Sequence, residues 1–132
     1  ARHRERRRRR LAASVPRRRV ADLGGVAYAT VTGRVVSVDG EGPAVVSRGG
    51  GEGVGPATTA RTTRPFVVAD GTGRLRVRVP PDGDVVHGSP VSEAGVATVD
   101  CGDDVTVTGR VRRTRGGAWA VTGPQFVLVS PP

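Results

Sequence analysis

Apolar and polar residues alternate with period two through Ala29-Thr30-Val31-Thr32-Gly33-Arg34-Val35, and the pattern returns at Val105-Thr106-Val107-Thr108-Gly109-Arg110-Val111. Such alternation puts Val31 and Val35 on one face of a strand and Thr30, Thr32 and Arg34 on the other. A Gly inside an inward-facing run marks a bulge, a sharp bend or a close backbone approach. Two bent strands near the start and end of one small domain suit a tightly curled barrel. The first strand is predicted over about Ala27 to Val38 and the fourth over about Val105 to Arg113. Between them, Pro65-Phe66-Val67-Val68-Ala69 enters a turn at Asp70-Gly71-Thr72-Gly73, and Arg74-Leu75-Arg76-Val77-Arg78-Val79 leaves it in strict alternation. Two apolar runs flanking Asp-Gly signal a hairpin.

After Gly116-Gly117, the runs Ala118-Trp119-Ala120-Val121 and Phe126-Val127-Leu128-Val129 flank an interruption at Gly123-Pro124. The total is five or six strands with negligible helix. The fold class predicted is all-β: a small five-stranded antiparallel barrel with a basic N-terminal tail. Shared parity puts Val31, Val35, Phe66, Val68, Leu75, Val77, Val105, Val107, Val111 and Val121 inside. Phe126 and Trp119 are expected in the core as well. Residues 40–63, rich in Gly, Pro, Ser and Thr, read as a long flexible loop, of the kind that is often functional or disordered. Residues 80–103 read as loop, with at best a short helical turn near Ser92 to Val96.

Charge changes the picture. The chain has 132 residues, 21 Arg and no Lys, and a formal net charge of +9. Residues 1–20 carry ten Arg and one Glu, whereas residues 21–132 carry eleven Arg and eleven acids. The barrel is therefore neutral and the tail, 1–20, holds the whole excess. Arg6, Arg7, Arg8, Arg9 and Arg10 form one block and Arg17, Arg18 and Arg19 a second. Such runs repel and stay solvated, or extend as a helix if anions screen them. Leu11-Ala12-Ala13-Ser14-Val15 is too short and too weakly apolar for a signal-peptide core. The uniform preference for Arg, with Ala, Gly, Val and Pro abundant, fits a GC-rich coding sequence. The chain begins at Ala1, which suggests processing or excision from a longer protein.

The order of elements resembles the oligonucleotide/oligosaccharide-binding (OB) fold over roughly residues 26–130: a bent Gly-containing strand, a long loop, the Asp70-Gly71-Thr72-Gly73 hairpin, a variable connector, a second bent strand and a closing hairpin. That resemblance implies a ligand surface on the second and third strands and on the loops after the first and fourth. Residues Pro65 to Leu75, followed by Pro80, are also similar to the central signature of GIDE-type domains, which occur in membrane-anchored proteins. The Glu-Cys motif and RING segment of that family are missing, so ligase chemistry does not carry over.

Arg74, Arg76 and Arg78 are the first candidates for binding, because their parity sets them together on the outside of the third strand. Three Arg on that strand suit successive phosphates or bases. Arg34 and Arg110 are weaker candidates on the outer faces of the bent strands. Tyr28 falls on the polar face with Thr30 and Thr32 and is the best exposed ring. The opposing reading is an ordinary solvated strand face. His3 and His87 are isolated from any second metal ligand. Asp82 and Asp84, like Asp103 and Asp104, read as turn residues. Cys101 is alone. No catalytic residue, metal, cofactor or small-molecule substrate is expected, and the chain reads as no enzyme. The expected function is a binding module for single-stranded nucleic acid, in the cytoplasm. The alternative is the cytoplasmic soluble domain of a GIDE-like protein, anchored through a segment upstream of Ala1. Its partner is then a protein or an anionic membrane surface, and its Arg tail is the juxtamembrane segment.

Overall fold

The computed structural model describes residues 15–48, 60–81, 83–87 and 96–130. Within them the elements are a single 3-10 turn, Val20–Asp22, and nine strands: β1 (Tyr28–Val38), β2 (Val45–Arg48), β3 (Ala60–Thr63), β4 (Phe66–Ala69), β5 (Arg74–Val77), β6 (Asp84–His87), β7 (Val96–Val99), β8 (Asp104–Arg113) and β9 (Trp119–Ser130). The fold is all-β. Five strands close into a barrel, in the order β5-β4-β1-β8-β9 with β9 returning to β5.

One junction departs from the antiparallel expectation. β5 and β9 run parallel, with Leu75, Arg76 and Val77 opposite Trp119, Ala120 and Val121. An odd number of strands cannot close a ring with every neighbour antiparallel, so one parallel seam is required. All ten residues assigned to the interior by parity are buried, and Phe126 joins them. Trp119 does not: it is only partly buried, packed against the core at its margin.

The two glycine-bearing strands are neighbours, with Ala29 opposite Gly109 and Gly33 opposite Val105. Each Gly marks a close approach. A Cβ on Gly33 would lie 2.5 Å from the carbonyl oxygen of Ala69, and one on Gly109 would lie 2.7 Å from Val121 Cγ1. The pairing register shifts between Thr108 and Arg110, where β9 carries its interruption. β9 is thus one strand with an insertion around Gly123, rather than two.

Three further differences concern segments expected to be loop or tail. Residues 40–63 contain β2 and β3, which form a separate three-stranded sheet with β7. β-Branched residues drive this: Val45 and Val99 pair across it, and both are fully buried with Ala44. The centre of the same segment, Gly49-Gly50-Gly51, lies outside the described residues. Residues 80–103 likewise contain β6, which runs parallel to the end of β9, and β7. The helical turn expected near Ser92 falls mostly outside the described residues, and Val96 opens β7.

The third difference is the second arginine block. β4 pairs β1 from Arg34 to Val38, which leaves the edge of β1 free further toward Tyr28. Arg17 forms a parallel bridge to Thr30 on that edge. Thr30 N–H donates to Pro16 O at 3.1 Å, and Arg18 N–H donates to Thr30 O at 2.9 Å. Val20 and Leu23 are then buried in the main core. Arg17, Arg18 and Arg19 stay exposed, but the backbone carrying them is docked on the barrel. Thr30, placed by parity on an open polar face, is buried beside this segment, and its hydroxyl meets that of Thr108 at 2.8 Å. The first block, Arg6 to Arg10, lies outside the described residues.

Candidate nucleic-acid interface

The β4–β5 turn positions the arginine strand. Asp70 accepts hydrogen bonds from Thr72 N–H (2.8 Å), Thr72 Oγ1 (2.7 Å) and Gly73 N–H (3.2 Å). An Asp side chain that folds back on the amides following it makes a local turn of this kind. Its other oxygen accepts from Val20 N–H at 2.8 Å, across fifty positions of sequence. Thr72 Oγ1 accepts from Ala21 N–H at 3.2 Å. One side chain therefore shapes the hairpin and holds the docked N-terminal segment. Partial burial on its own would raise the Asp70 pKa. The hydrogen bonds from the Thr72 hydroxyl and the amides of Val20, Thr72 and Gly73 outweigh it and hold the group below its ordinary value.

From this turn β5 leaves with Leu75, Val77 and then Val79 buried. Arg74, Arg76 and Arg78 are exposed on the opposite face, as alternation requires. They do not share one electrostatic setting. Arg76 Nη2 pairs with Asp39 Oδ2 at 2.8 Å, with the two side chains 50% and 56% exposed. Arg34 stands opposite Asp104 in the β1–β8 ladder and pairs with it at 3.3 Å. Exposed pairs of this type contribute about 0–1 kcal/mol to stability. Their larger effect is to cancel positive charge on the β1 side of the barrel.

Arg34 and Arg74 both lie in register with Ala69 of β4, on its two sides. Tyr28, at the far end of β1 from Arg34, lies opposite Arg110. Among the described residues it is the exposed large hydrophobic side chain, at 37%. The fold thus brings Arg74, Arg76 and Arg78 together, sets Tyr28 beside Arg110, and separates Arg34 from that pair.

Arg112 and Arg113 were absent from the sequence-based candidates. Arg112 has the same outward parity as Arg110 on β8, which was the available signal. Arg113 covers the Trp119 ring, with its guanidinium carbon 4.6 Å from the ring centroid. That contact follows from Arg113 and Trp119 facing each other in the β8–β9 ladder.

The acidic turn residues have structural tasks. Asp103 accepts from Asp100 N–H at 2.8 Å in the turn before β8, and Gly102 N–H donates to Val35 O at 2.7 Å beside the irregular register of β1. Cys101, exposed and free, points its thiol at the same Val35 carbonyl, 3.6 Å away. Asp82 and His3 lie outside the described residues, as does the side chain of His87. Among the described residues no group of three or more His, Cys, Asp or Glu is arranged to hold a metal ion. No described helix is long and apolar enough to cross a membrane. A scan against models of known protein families gives no match, and neither does a search of curated proteins.

Proposed function

We propose that the chain is a non-enzymatic binding module of the OB type whose ligand is single-stranded nucleic acid. The barrel's connectivity supports the OB reading: the hairpin β4–β5 supplies the second and third barrel strands, and the third strand closes on the fifth. OB barrels present ligands to their second and third strands. The observation that carries the reading is the row Arg74 and Arg76 on that third strand and Arg78 just past its end, all exposed while Leu75 and Val77 between them are fully buried. Guanidinium groups suit phosphate by charge and by their two-pronged donor geometry, and they stack on bases. Tyr28 adds a ring, and the Arg-rich tail adds sequence-independent attraction.

Fluorescence anisotropy with a short labelled single strand tests the reading. The intact chain and a chain lacking residues 1–14 are compared at low salt; the cut preserves the docked segment from Pro16 onward. Binding that survives the deletion is expected. A shortened chain that folds and binds nothing overturns the proposal.

The pairs Arg76–Asp39 and Arg34–Asp104, together with the neutral charge of residues 21–132, favour a second reading. Here the barrel is an interaction domain beside a membrane anchor on the cytoplasmic side, with the tail as juxtamembrane segment. On this reading the shortened chain ignores oligonucleotides, and the intact chain binds anionic vesicles through its tail.

A further inference from the structure

The outward residues on either side of β5 differ in kind. Toward β4 and β1 lie Val67 and Ala69, then Arg34 with its Asp104 partner, and Asp39 holding Arg76. On the other side lies β9, whose outward residues opposite Arg76 and beyond are the small Ala120 and Thr122. Past β9 comes β8, where Arg112 faces Ala120 and Arg110 faces Thr122. Arg78 reaches the same level, since its N–H donates to Val121 O at 3.2 Å. Tyr28 continues that level across β8, opposite Arg110.

β9 is therefore a low floor of Ala120 and Thr122, with Ala118 just before it, between two arginine walls. Arg74 stands on β5 with Arg78 just past its end, and Arg110 and Arg112 stand on β8. Two strand spacings separate the walls at their base, about 9.5 Å; Arg110 and Arg112 are two positions apart in one wall, and Arg74 and Arg78 flank the paired Arg76 in the other. The stretch from Val105 to Ser130 holds four Arg and no Asp or Glu. Among the described residues none of these wall arginines is in an ion pair.

We propose that this trough, rather than the β4 side of the arginine strand, seats the phosphodiester backbone of a single strand, which runs along β9 with its Tyr28 end available for a base. The inference rests on the nucleic-acid reading above and adds where the strand lies. A linear polyanion matches two parallel rows of guanidinium groups over small residues. Charge complementarity selects this side, because the β1 side already carries its own carboxylates. The floor ends at Gly123, where the insertion in β9 breaks the ladder.

Two alanines beside β5 provide the test, in the full chain. Ala120→Glu puts a carboxylate on the trough floor, and Ala69→Glu puts one at the matching place on the β4 side. Titration of a short oligothymidylate is expected to show about a tenfold or greater loss for A120E and a loss below about threefold for A69E. The double variant Arg110→Ser/Arg112→Ser removes two wall charges without touching the core. It is expected to lower the slope of log K against log salt by about 1.4, the value for two phosphate contacts on a single strand. The double Arg→Lys variant at the same positions keeps the charge and should keep most of that slope. Equal losses for A120E and A69E, with R110S/R112S binding as wild type, overturn the trough and leave the nucleic-acid reading standing. A wild-type chain that fails to bind at low salt overturns both.

Discussion

Gly33→Ala would push a methyl group into the backbone of β4. The added Cβ lies 2.5 Å from Ala69 O, 2.6 Å from Val68 Cγ1 and 3.0 Å from the Ala69 carbonyl carbon. A side-chain tip can rotate aside, but a carbonyl in a paired strand cannot. It must retreat by about 0.9 Å to reach an ordinary contact, which disturbs the Arg34–Ala69 pairing at the start of the β1–β4 ladder. Overpacking of this kind costs about 1–3 kcal/mol, and a weakened backbone hydrogen bond adds about 1 kcal/mol. Replacing Gly in a strand returns about 0.5–1 kcal/mol through chain entropy. The net loss is about 1–3.5 kcal/mol, a fall of roughly 5–15 °C in Tm for a domain of this size. Gly24→Ala is the control, because its Cβ meets nothing within 4 Å and its φ is ordinary; its Tm should stay level or rise slightly. Thermal unfolding followed by far-UV circular dichroism reads both. If G33A melts with G24A, β1 and β4 do not meet at Ala69 and the barrel is not closed as described.

Other consequences follow from the docked segment and the one tryptophan. Asp70→Asn should destabilise the chain by about 1–3 kcal/mol, since the carboxylate organises the turn and holds Val20. Because the folded state lowers the pKa of Asp70 below its ordinary 3.8, its stabilisation is complete above that value and fades as pH falls through the lower folded pKa. Acid unfolding of D70N should therefore lose part of the wild-type pH dependence below about 4. Deleting residues 1–14 should leave Tm within about 2 °C of wild type and flatten the salt dependence of any polyanion binding, whereas deleting 1–23 should cost several kcal/mol, because Val20 and Leu23 leave the core. Arg113→Ala should uncover Trp119, the sole tryptophan. A red-shifted emission spectrum and a stability loss of about 0.5–1 kcal/mol are expected.

The barrel strands were legible because period-two alternation fixes which side of a strand each residue takes. Val31, Leu75, Val107 and Val121 needed no tertiary knowledge to be placed inside. The parallel seam was not legible, because it depends on which strands become neighbours when the ring closes. The small sheet β3-β2-β7 escaped notice because its four-residue strands sit among Gly, Pro and Ser, and Val45 finds Val99 only in three dimensions. The docking of Pro16 to Leu23 was hidden for a similar reason, since Asp70 is fifty positions from the amide it holds. Within the candidate site, strand parity alone was enough to expose Arg74, Arg76 and Arg78. The neutralisation of Arg76 by Asp39 and of Arg34 by Asp104 joins distant segments. Arg110 gains its place across from Arg78, and Arg112 across from Arg76, only because β9 lies between β8 and β5.

The most direct measurement is an anisotropy titration of a short labelled single strand, at low and moderate salt, against two versions of the chain lacking residues 1–14. One keeps the wild-type barrel and the other carries Arg74→Ser, Arg76→Ser and Arg78→Ser. Surface changes on a strand cost little stability, so matched melting temperatures ensure that binding alone is compared. Binding by the wild-type barrel, weakened about tenfold or more and with a shallower salt slope in the triple variant, is the expected result. A barrel that ignores the oligonucleotide at low salt, or a triple variant that binds as tightly as wild type, contradicts it.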